Sequence, residues 1–226
     1  MNNKVRAVKA GKKTAAGTTS STKPRAKRMS PEARQAQILA AGVEVFAERG
    51  LANATHADIA ERIGVSIPTI FHYYSSIENL QTAVLKDIHR FFINEMIMTR
   101  FSEHAPAYAR VEDILLSFQE LFDSEEHRHF VTIWLEWSGF TRGFIWDMYL
   151  EFYNEAISGI RKLIMQGRKD NSICKELNAT DAARVVVGMA HTIAHMRFAG
   201  SSKRKVGDTV HSLVMSYLAP TANDAG

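Results

Sequence analysis

Residues 55–80 read THADIAERIGVSIPTIFHYYSSIENL, and this stretch decides the fold of the N-terminal part of the chain. Thr55 and Asp58 have the spacing of a capping box, which predicts a helix that begins directly after Thr55. Gly64 can adopt the left-handed conformation that ends such a helix, and Ser66 can cap a second one. Two helices of about two turns around a glycine are the pattern of a helix-turn-helix.

The second of these helices carries hydroxyl, imidazole and phenol groups that can hydrogen-bond phosphates and base edges. Ile70 and Phe71 are expected to pack it against the first helix. Spacing alone leaves open a small helical corner of a larger bundle that touches no DNA. The residues predicted to bind DNA in this unit are Thr55, Ser66, Ile67, Thr69, His72 and Tyr73.

A longer helix is predicted to follow. Ser75 and Glu78 have the spacing of another capping box, and an apolar stripe continues from Ser76 to about Arg100. Before the motif, Ser30-Pro31 predicts a helix start and Gly50 the end of that helix. The first helix should therefore pack across the motif and stiffen it.

The segment IAERIGVSIPTIFHYYSSIENL resembles the DNA-binding signature of the TetR family of bacterial transcriptional regulators. Within that family, IWLEWSGFTRGFIW (residues 133–146) and HADIAE (residues 56–61) resemble the quorum-sensing master regulators of the LuxR, HapR and SmcR type. The resemblance covers residues 30–218. One departure is Ile67-Pro68, where many members have Lys-Gly. Pro68 supplies no N–H, and Ile67 could touch a thymine methyl group.

The composition is that of an ordinary water-soluble protein, with 46% hydrophobic and 23% charged residues among 226. No apolar run approaches the ~20 residues that span a bilayer, and no secretory signal follows the basic N-terminus. The single cysteine, Cys174, cannot form an internal disulfide. These features favour a cytoplasmic protein without a membrane partner.

Basic charge is concentrated at the N-terminus. Residues 1–29 contain nine basic and no acidic side chains, whereas the rest of the chain contains 19 basic and 24 acidic ones. This segment has too few large apolar groups to fold alone, and we expect a disordered arm that meets a polyanion. The resemblance implies minor-groove contacts by the basic residues before Ser30. The candidates are Arg25, Lys27 and Arg28, and a solubilising tail is the alternative for the earlier lysines.

Apolar residues recur at helical spacing throughout the remaining chain, and no strand-like alternation stands out. The predicted fold class is all-α, with an N-terminal three-helix unit and a C-terminal helical domain for ligand binding and dimerisation. The resemblance implies that the last two helices form a four-helix contact with a second copy. The expected boundaries are an arm at 1–29, a DNA-binding domain at 30–77, a regulatory domain at 78–219 and a tail at 220–226.

Aromatic and methionine side chains are frequent in the predicted regulatory domain. Such stripes usually form a core, but the resemblance implies a pocket among these helices, and an apolar lining would favour a small hydrophobic effector. The candidate pocket residues are Phe118, Trp134, Trp137, Phe144, Phe152, Cys174 and Met189.

No metal site, cofactor or enzymatic activity is expected. His191 and His195 have the spacing of a two-histidine metal site, but no carboxylate on that face completes it. Cys174 fits a passive residue near the pocket better than a redox sensor. Phosphate-binding glycine loops and hydrolase motifs are absent from the sequence, and Glu136 and Glu151 lack an evident partner acid.

The sequence therefore predicts a homodimeric, sequence-specific transcriptional regulator that binds a double-stranded DNA operator. Two heads about 34–36 Å apart would read successive major-groove faces. One alternative is an enzyme or ligand carrier with a vestigial helix-turn-helix. Another is an architectural DNA-binding protein driven by its basic tail.

Overall fold

The computed structural model describes residues 29–102 and 104–220, and over this part of the chain the secondary structure is helical without strands. This confirms the predicted all-α class. The helices are α1 (Pro31–Arg49), α2 (His56–Ile63), α3 (Ile67–Tyr73), α4 (Ile77–Arg90), α5 (Ala107–Glu120), α6 (Glu125–Gly139), α7 (Gly143–Lys169), α8 (Ala179–Phe198) and α9 (Lys203–Tyr217).

Helix α1 begins and ends where the sequence predicts. The hydroxyl of Ser30 accepts a hydrogen bond from the Ala33 N–H at 3.2 Å, and Pro31 occupies the first helical position. Gly50 ends the helix with a φ of 86°, a value that favours glycine.

The cap of α4 differs from the prediction by one residue. Ser76, rather than Ser75, is the N-cap, and its hydroxyl accepts from the Asn79 N–H at 3.3 Å. Ser75 instead accepts from the Asn79 side chain at 2.8 Å. The capping-box prediction was wrong because the third residue after the true cap is Asn79 and not Glu78.

The helical path that begins with α4 reaches Ser102, close to the predicted end, but its winding changes. Residues Phe91–Ile97 form a π-helical segment and Met98–Ser102 a 3-10 segment. Wider winding rotates the side chains that follow it. Phe92, Met96 and Ile97 of the π-helical segment all lie in the wall of a cavity described below.

Close packing joins the N-terminal helices to the body. A Cβ on Gly42 of α1 would lie 3.4 Å from side-chain atoms of Leu80 and Val84 on α4, so these two helices are in direct contact. Helix α1 also packs against α6, and α7 packs along α8. Helices α4 and α6 therefore connect the first three helices to the rest of the protein. None of the helices in the described ranges combines the length and apolar character needed to cross a bilayer.

Candidate DNA-binding surface and effector cavity

A complete capping box fixes the start of α2. The Thr55 N–H and hydroxyl both donate to the Asp58 carboxylate, at 2.8 and 2.7 Å, and the Asp58 N–H lies 3.4 Å from the Thr55 hydroxyl oxygen. Arg49 of α1 pairs with the same carboxylate at 2.8 Å. The Thr55 hydroxyl, more than the other contacts, lowers the pKa of Asp58. This confirms the first predicted capping box and ties α2 to the end of α1.

A tight turn joins α2 to α3. Gly64 has a φ of 66°, in the left-handed region, and the Val65 N–H donates to the Ala60 carbonyl at 3.0 Å. Ser66 is the N-cap of α3 in backbone conformation, yet its side chain makes no cap hydrogen bond. Its oxygen lies 2.8 Å from the Thr69 hydroxyl instead. The predicted position of the cap at Ser66 is therefore confirmed, although its hydroxyl bonds to Thr69 and not to a backbone N–H.

The outer face of α3 is apolar at two positions one turn apart. Ile67 is 43% exposed and Phe71 is 49% exposed, whereas Ile70 is fully buried. The Phe71 ring stacks on His56 of α2 at 4.1 Å, and His56 donates to the Tyr74 carbonyl at 3.0 Å. Phe71 thus contacts α2 as expected, but it also forms part of the exposed surface, which sequence reasoning missed because large aromatic residues are usually buried.

The predicted DNA-binding residues of the head come together around α3. Thr55, Ser66, Ile67 and His72 are exposed, and Thr69 and Tyr73 are half-buried. His72 and Tyr73 meet edge to face, with ring centroids 5.1 Å apart. The remaining candidates, Arg25, Lys27 and Arg28, lie outside the residues that the structure describes.

A small cavity lies in the body between the π-helical extension of α4, α5, α6, α7 and α8. Its volume is about 60 Å³, well below the ~300–1,000 Å³ of typical ligand pockets. Aromatic rings dominate one part of the wall, with the Phe92 and Trp134 centroids 5.9 Å apart. The indole N–H of Trp134 is buried and has no acceptor within the described structure. The lining residues are Phe92, Met96, Ile97, Ile114, Leu115, Phe118, Trp134, Phe152, Ala156, Ile160, Val186, Val187 and Ala190.

The structure separates the candidate pocket residues into two groups. Phe118, Trp134 and Phe152 line the cavity. The following four do not line this cavity, and their place in an effector site stays a prediction: Trp137, Phe144, Cys174 and Met189.

Local structure explains why these four side chains lie elsewhere. Trp137 stacks behind Phe152 at 5.5 Å and donates its indole N–H to the Ile145 carbonyl at 2.7 Å. Phe144 is 40% exposed at the start of α7, and Met189 is buried outside the lining. Cys174 is held by its backbone, whose N–H donates to the Leu218 carbonyl at 2.9 Å.

The two histidines of α8 are used within their own helix. His191 Nδ1 lies 3.4 Å from the Val187 carbonyl, and His195 Nδ1 lies 2.7 Å from the His191 carbonyl. Over the described ranges no three His, Cys, Asp or Glu side chains converge as a metal site would require.

Glu136 makes a contact that no pattern in the sequence predicts. Both of its carboxylate oxygens accept from the backbone N–H of Leu51, at 2.8 and 3.0 Å, although 85 residues separate the two positions. Gln81 donates to the carbonyl of the same Leu51 at 2.6 Å. Backbone groups are present at every residue, so no side-chain pattern signals such a pair.

The capped α2, the glycine turn and the exposed α3 define a helix-turn-helix head on a helical body, which is the class of the DNA-binding regulators. Residues 38–84 match the family model described as bacterial regulatory proteins, tetR family. Over 191 residues the chain is 27% identical to the HTH-type transcriptional regulator LuxR of Vibrio harveyi, covering 84% of this chain and 90% of LuxR. The segment that carries the helix-turn-helix is therefore similar to the N-terminal domain of the tetR family of bacterial regulatory proteins.

Solved structures share the fold. A transcriptional regulator from Saccharomonospora viridis in complex with choline superposes with a TM-score of 0.72 at 18% identity, over 82% of this chain and 97% of that one. FadR from Bacillus subtilis in complex with stearoyl-CoA gives a TM-score of 0.67 at 20% identity, over 80% and 97%.

Proposed function

We propose that this protein is a dimeric, sequence-specific transcriptional regulator whose affinity for its operator is set by a small apolar effector. The observation that carries the proposal is the exposed face of α3, where Ile67 and Phe71 stand beside polar groups on a rigidly capped helix pair. An exposed apolar pair next to hydrogen-bonding side chains suits the major groove, where thymine methyl groups alternate with donors and acceptors.

The roles of the head residues follow from their chemistry. Thr55, Ser66, Thr69 and Tyr73 supply hydroxyls for phosphates and fix the position of α3, while Ile67 and His72 reach base edges. Arg25, Lys27 and Arg28 of the arm add phosphate or minor-groove contacts that depend on salt.

A second copy is proposed to bind through α8 and α9. Val185 of α8 and Leu213 and Met215 of α9 are each more than 40% exposed, although their helices pack well on the body. Gly188 lies three residues after Val185 on α8, and a Cβ there would meet nothing within 4 Å. This combination offers a close, apolar contact surface for a partner helix pair. Dimerisation would place two heads on successive turns of the duplex.

The effector is proposed to enter the cavity beside Trp134. Its walls are almost entirely apolar, so an apolar molecule fits them, and the unpartnered indole N–H would favour one acceptor oxygen on that molecule. The present volume requires the walls to move apart for most effectors. The likeness to LuxR makes a link to quorum sensing our proposal for the biological setting.

We propose the following domain boundaries: the arm at 1–29, the head at 30–77, the regulatory and dimerisation domain at 78–219 and the tail at 220–226. Helix α4 begins at Ile77, which supports a boundary at the start of that helix.

The test is operator selection from genomic fragments with the purified full chain, followed by footprinting. At ~0.15 M salt the selected duplex should bind roughly 10³-fold more tightly than a scrambled duplex. Equal affinity for both would indicate an architectural DNA-binding protein and overturn the proposal. Removal of residues 1–26 should weaken binding and reduce its salt dependence. If both stay unchanged, the role given to the arm is wrong.

A further inference from the structure

The backbone of Leu51 is held from two directions. This residue lies in the turn between α1 and α2 and is fully buried. Glu136 of α6 holds its N–H with both carboxylate oxygens, and the largely buried Gln81 of α4 holds its carbonyl. Hydrogen bonds to a carboxylate are stronger than those between neutral groups, and a buried peptide group that loses its partner is destabilised. The position of this turn therefore depends on both α4 and α6.

Helix α6 and the continuation of α4 also border the cavity. On α6, Trp134 lines the cavity two residues before Glu136. Two residues along an α-helix correspond to about 200° of rotation, so these side chains project from opposite sides of α6. Helix α4 continues directly into the π-helical segment, where Phe92 lines the cavity 5.9 Å from Trp134.

The turn leaves little room for adjustment. An added Cβ at Gly50 would lie 3.1 Å from a carboxylate oxygen of Glu136, and Gly50 has a positive φ. Arg49, one residue earlier, pairs with Asp58 in the cap of α2. A shift of Leu51 is therefore transmitted to the start of the helix-turn-helix instead of being absorbed in a loose loop.

We propose that Leu51 is the point at which cavity occupancy reaches the DNA-binding head, with Glu136 and Gln81 as its positioning residues. A molecule that separates Phe92 from Trp134 moves the continuation of α4 away from α6, and α4 and α6 both hold the backbone of Leu51. The head must then follow one helix or lose one hydrogen bond, which changes its orientation. This inference rests on the proposed function, because it assumes that the head binds an operator and that the cavity is the regulatory site.

The test uses a side chain to fill the cavity, since the effector is unidentified. Ala156 is buried in the cavity wall, and Ala156→Leu adds bulk there. In the otherwise unchanged full-length protein this substitution should weaken operator binding about tenfold, within the usual range of coupling between sites. In a Glu136→Ala background the same substitution should change the dissociation constant by less than about twofold, since additivity fails only for coupled positions. In a Glu136→Gln background, which keeps one acceptor oxygen, Ala156→Leu should change the dissociation constant by an intermediate factor.

The control is Glu151→Ala, which removes an exposed glutamate on α7 and should leave the effect of Ala156→Leu at about tenfold. If Ala156→Leu prevents folding, as a thermal melt would reveal, the smaller Ala156→Val replaces it. An equal effect of cavity filling in all backgrounds, or no effect in the unchanged protein, would overturn the proposal. A purely structural Glu136 would lower the melting temperature and leave the effect of cavity filling intact.

Hydrogen exchange separates this inference from the proposed function. The Leu51 amide should exchange at least about tenfold faster in Glu136→Ala than in the unchanged protein, because its charged acceptor is gone. Equal exchange rates would contradict the hydrogen bond itself. If the Leu51 amide exchanges faster in Glu136→Ala but no duplex is bound selectively, the proposed function is wrong and the hydrogen bond between Glu136 and Leu51 is supported.

Discussion

The indole ring of Trp134 and the imidazole ring of His191 lie 4.1 Å apart between centroids, at an angle of 42°. Trp134 belongs to α6 and lines the cavity, whereas His191 belongs to α8, the helix proposed to meet a second copy. The cavity wall is thus in direct contact with the proposed dimer helix, and a change in Trp134 reaches α8 without an intervening side chain.

The first prediction concerns pH. Burial is the largest influence on the pKa of His191 and lowers it, the hydrogen bond to the Val187 carbonyl raises it in part, and nearby His195 lowers it by a smaller amount. The folded protein therefore favours neutral His191. The stability that this residue contributes is present above about pH 6.5 and is lost as the pH falls through the lowered folded pKa. Urea unfolding at pH 7.5 and 5.5 should reveal a smaller pH dependence in His191→Gln than in the unchanged protein. Identical pH dependence would contradict this assignment.

The second prediction concerns the cap of α2. Asp58→Asn should lower the free energy of unfolding by about 1 kcal/mol, the usual effect of losing a helix cap. The lowered pKa of Asp58 means that its contribution is complete above about pH 4 and disappears as the pH falls through the folded pKa. Chemical denaturation from pH 7 to pH 2 measures this difference. Glu61→Gln, on the exposed side of the same helix, is the control and should change stability little.

The third prediction concerns the outer face of α3. Ile67→Ala should weaken operator binding by about 5- to 100-fold and relax the base preference, while binding to random duplex stays nearly constant. Stability should change by less than about 0.5 kcal/mol because Ile67 is already 43% exposed. Fluorescence anisotropy with both duplexes provides the measurement. Met98→Ala serves as the control, since Met98 is similarly exposed outside the head. An unchanged operator affinity in Ile67→Ala would remove Ile67 from the contact surface.

The fourth prediction concerns the proposed dimer surface. Val185→Glu combined with Leu213→Glu should yield a monomer in sedimentation experiments, because two charges would be buried against a partner. Operator affinity should fall with dimerisation, since one head contacts only one half-site. Phe144→Glu, the control, adds a charge at an exposed apolar position on α7, and the protein should still sediment as a dimer. A dimer that survives the double substitution would place the interface elsewhere.

The fifth prediction concerns close packing at the end of α7. A Cβ on Gly167 would lie 2.6 Å from the Cβ of Ala107 and 2.7 Å from an Ile173 side-chain atom. Gly167→Ala should therefore destabilise the fold by about 1–3 kcal/mol through overpacking. Gly139→Ala, where an added Cβ meets nothing within 4 Å, should change stability by about 0.5 kcal/mol or less. Thermal melts of the two variants compare them directly.

Local signals in the sequence located the head accurately. The cap at Thr55, the glycine at Gly64 and the start of α1 at Ser30 depend on hydrogen bonds between residues three or four positions apart, so their spacing is visible in the chain. The cap of α4 was misplaced by one residue because Ser75 and Ser76 both precede plausible partners. The π-helical winding after Arg90 has no local signature that we recognised.

The cavity was predictable only in outline. Aromatic residues at helical spacing located the helices around it, but spacing does not say how one helix is rotated against another. Trp134 lines the cavity and Trp137 does not, although they lie three residues apart on α6. The choice depends on the packing of α7 and on the Ile145 carbonyl that accepts from Trp137.

By itself the sequence determined the all-α class and the helix-turn-helix, because capping, glycine turns and apolar periodicity are short-range properties of the chain. The tertiary structure alone decided which aromatic rings enclose the cavity, that Phe71 stands on the surface, and that Glu136 reaches Leu51. These relationships join residues far apart in sequence through backbone groups and helix rotation, neither of which leaves a pattern in the order of side chains.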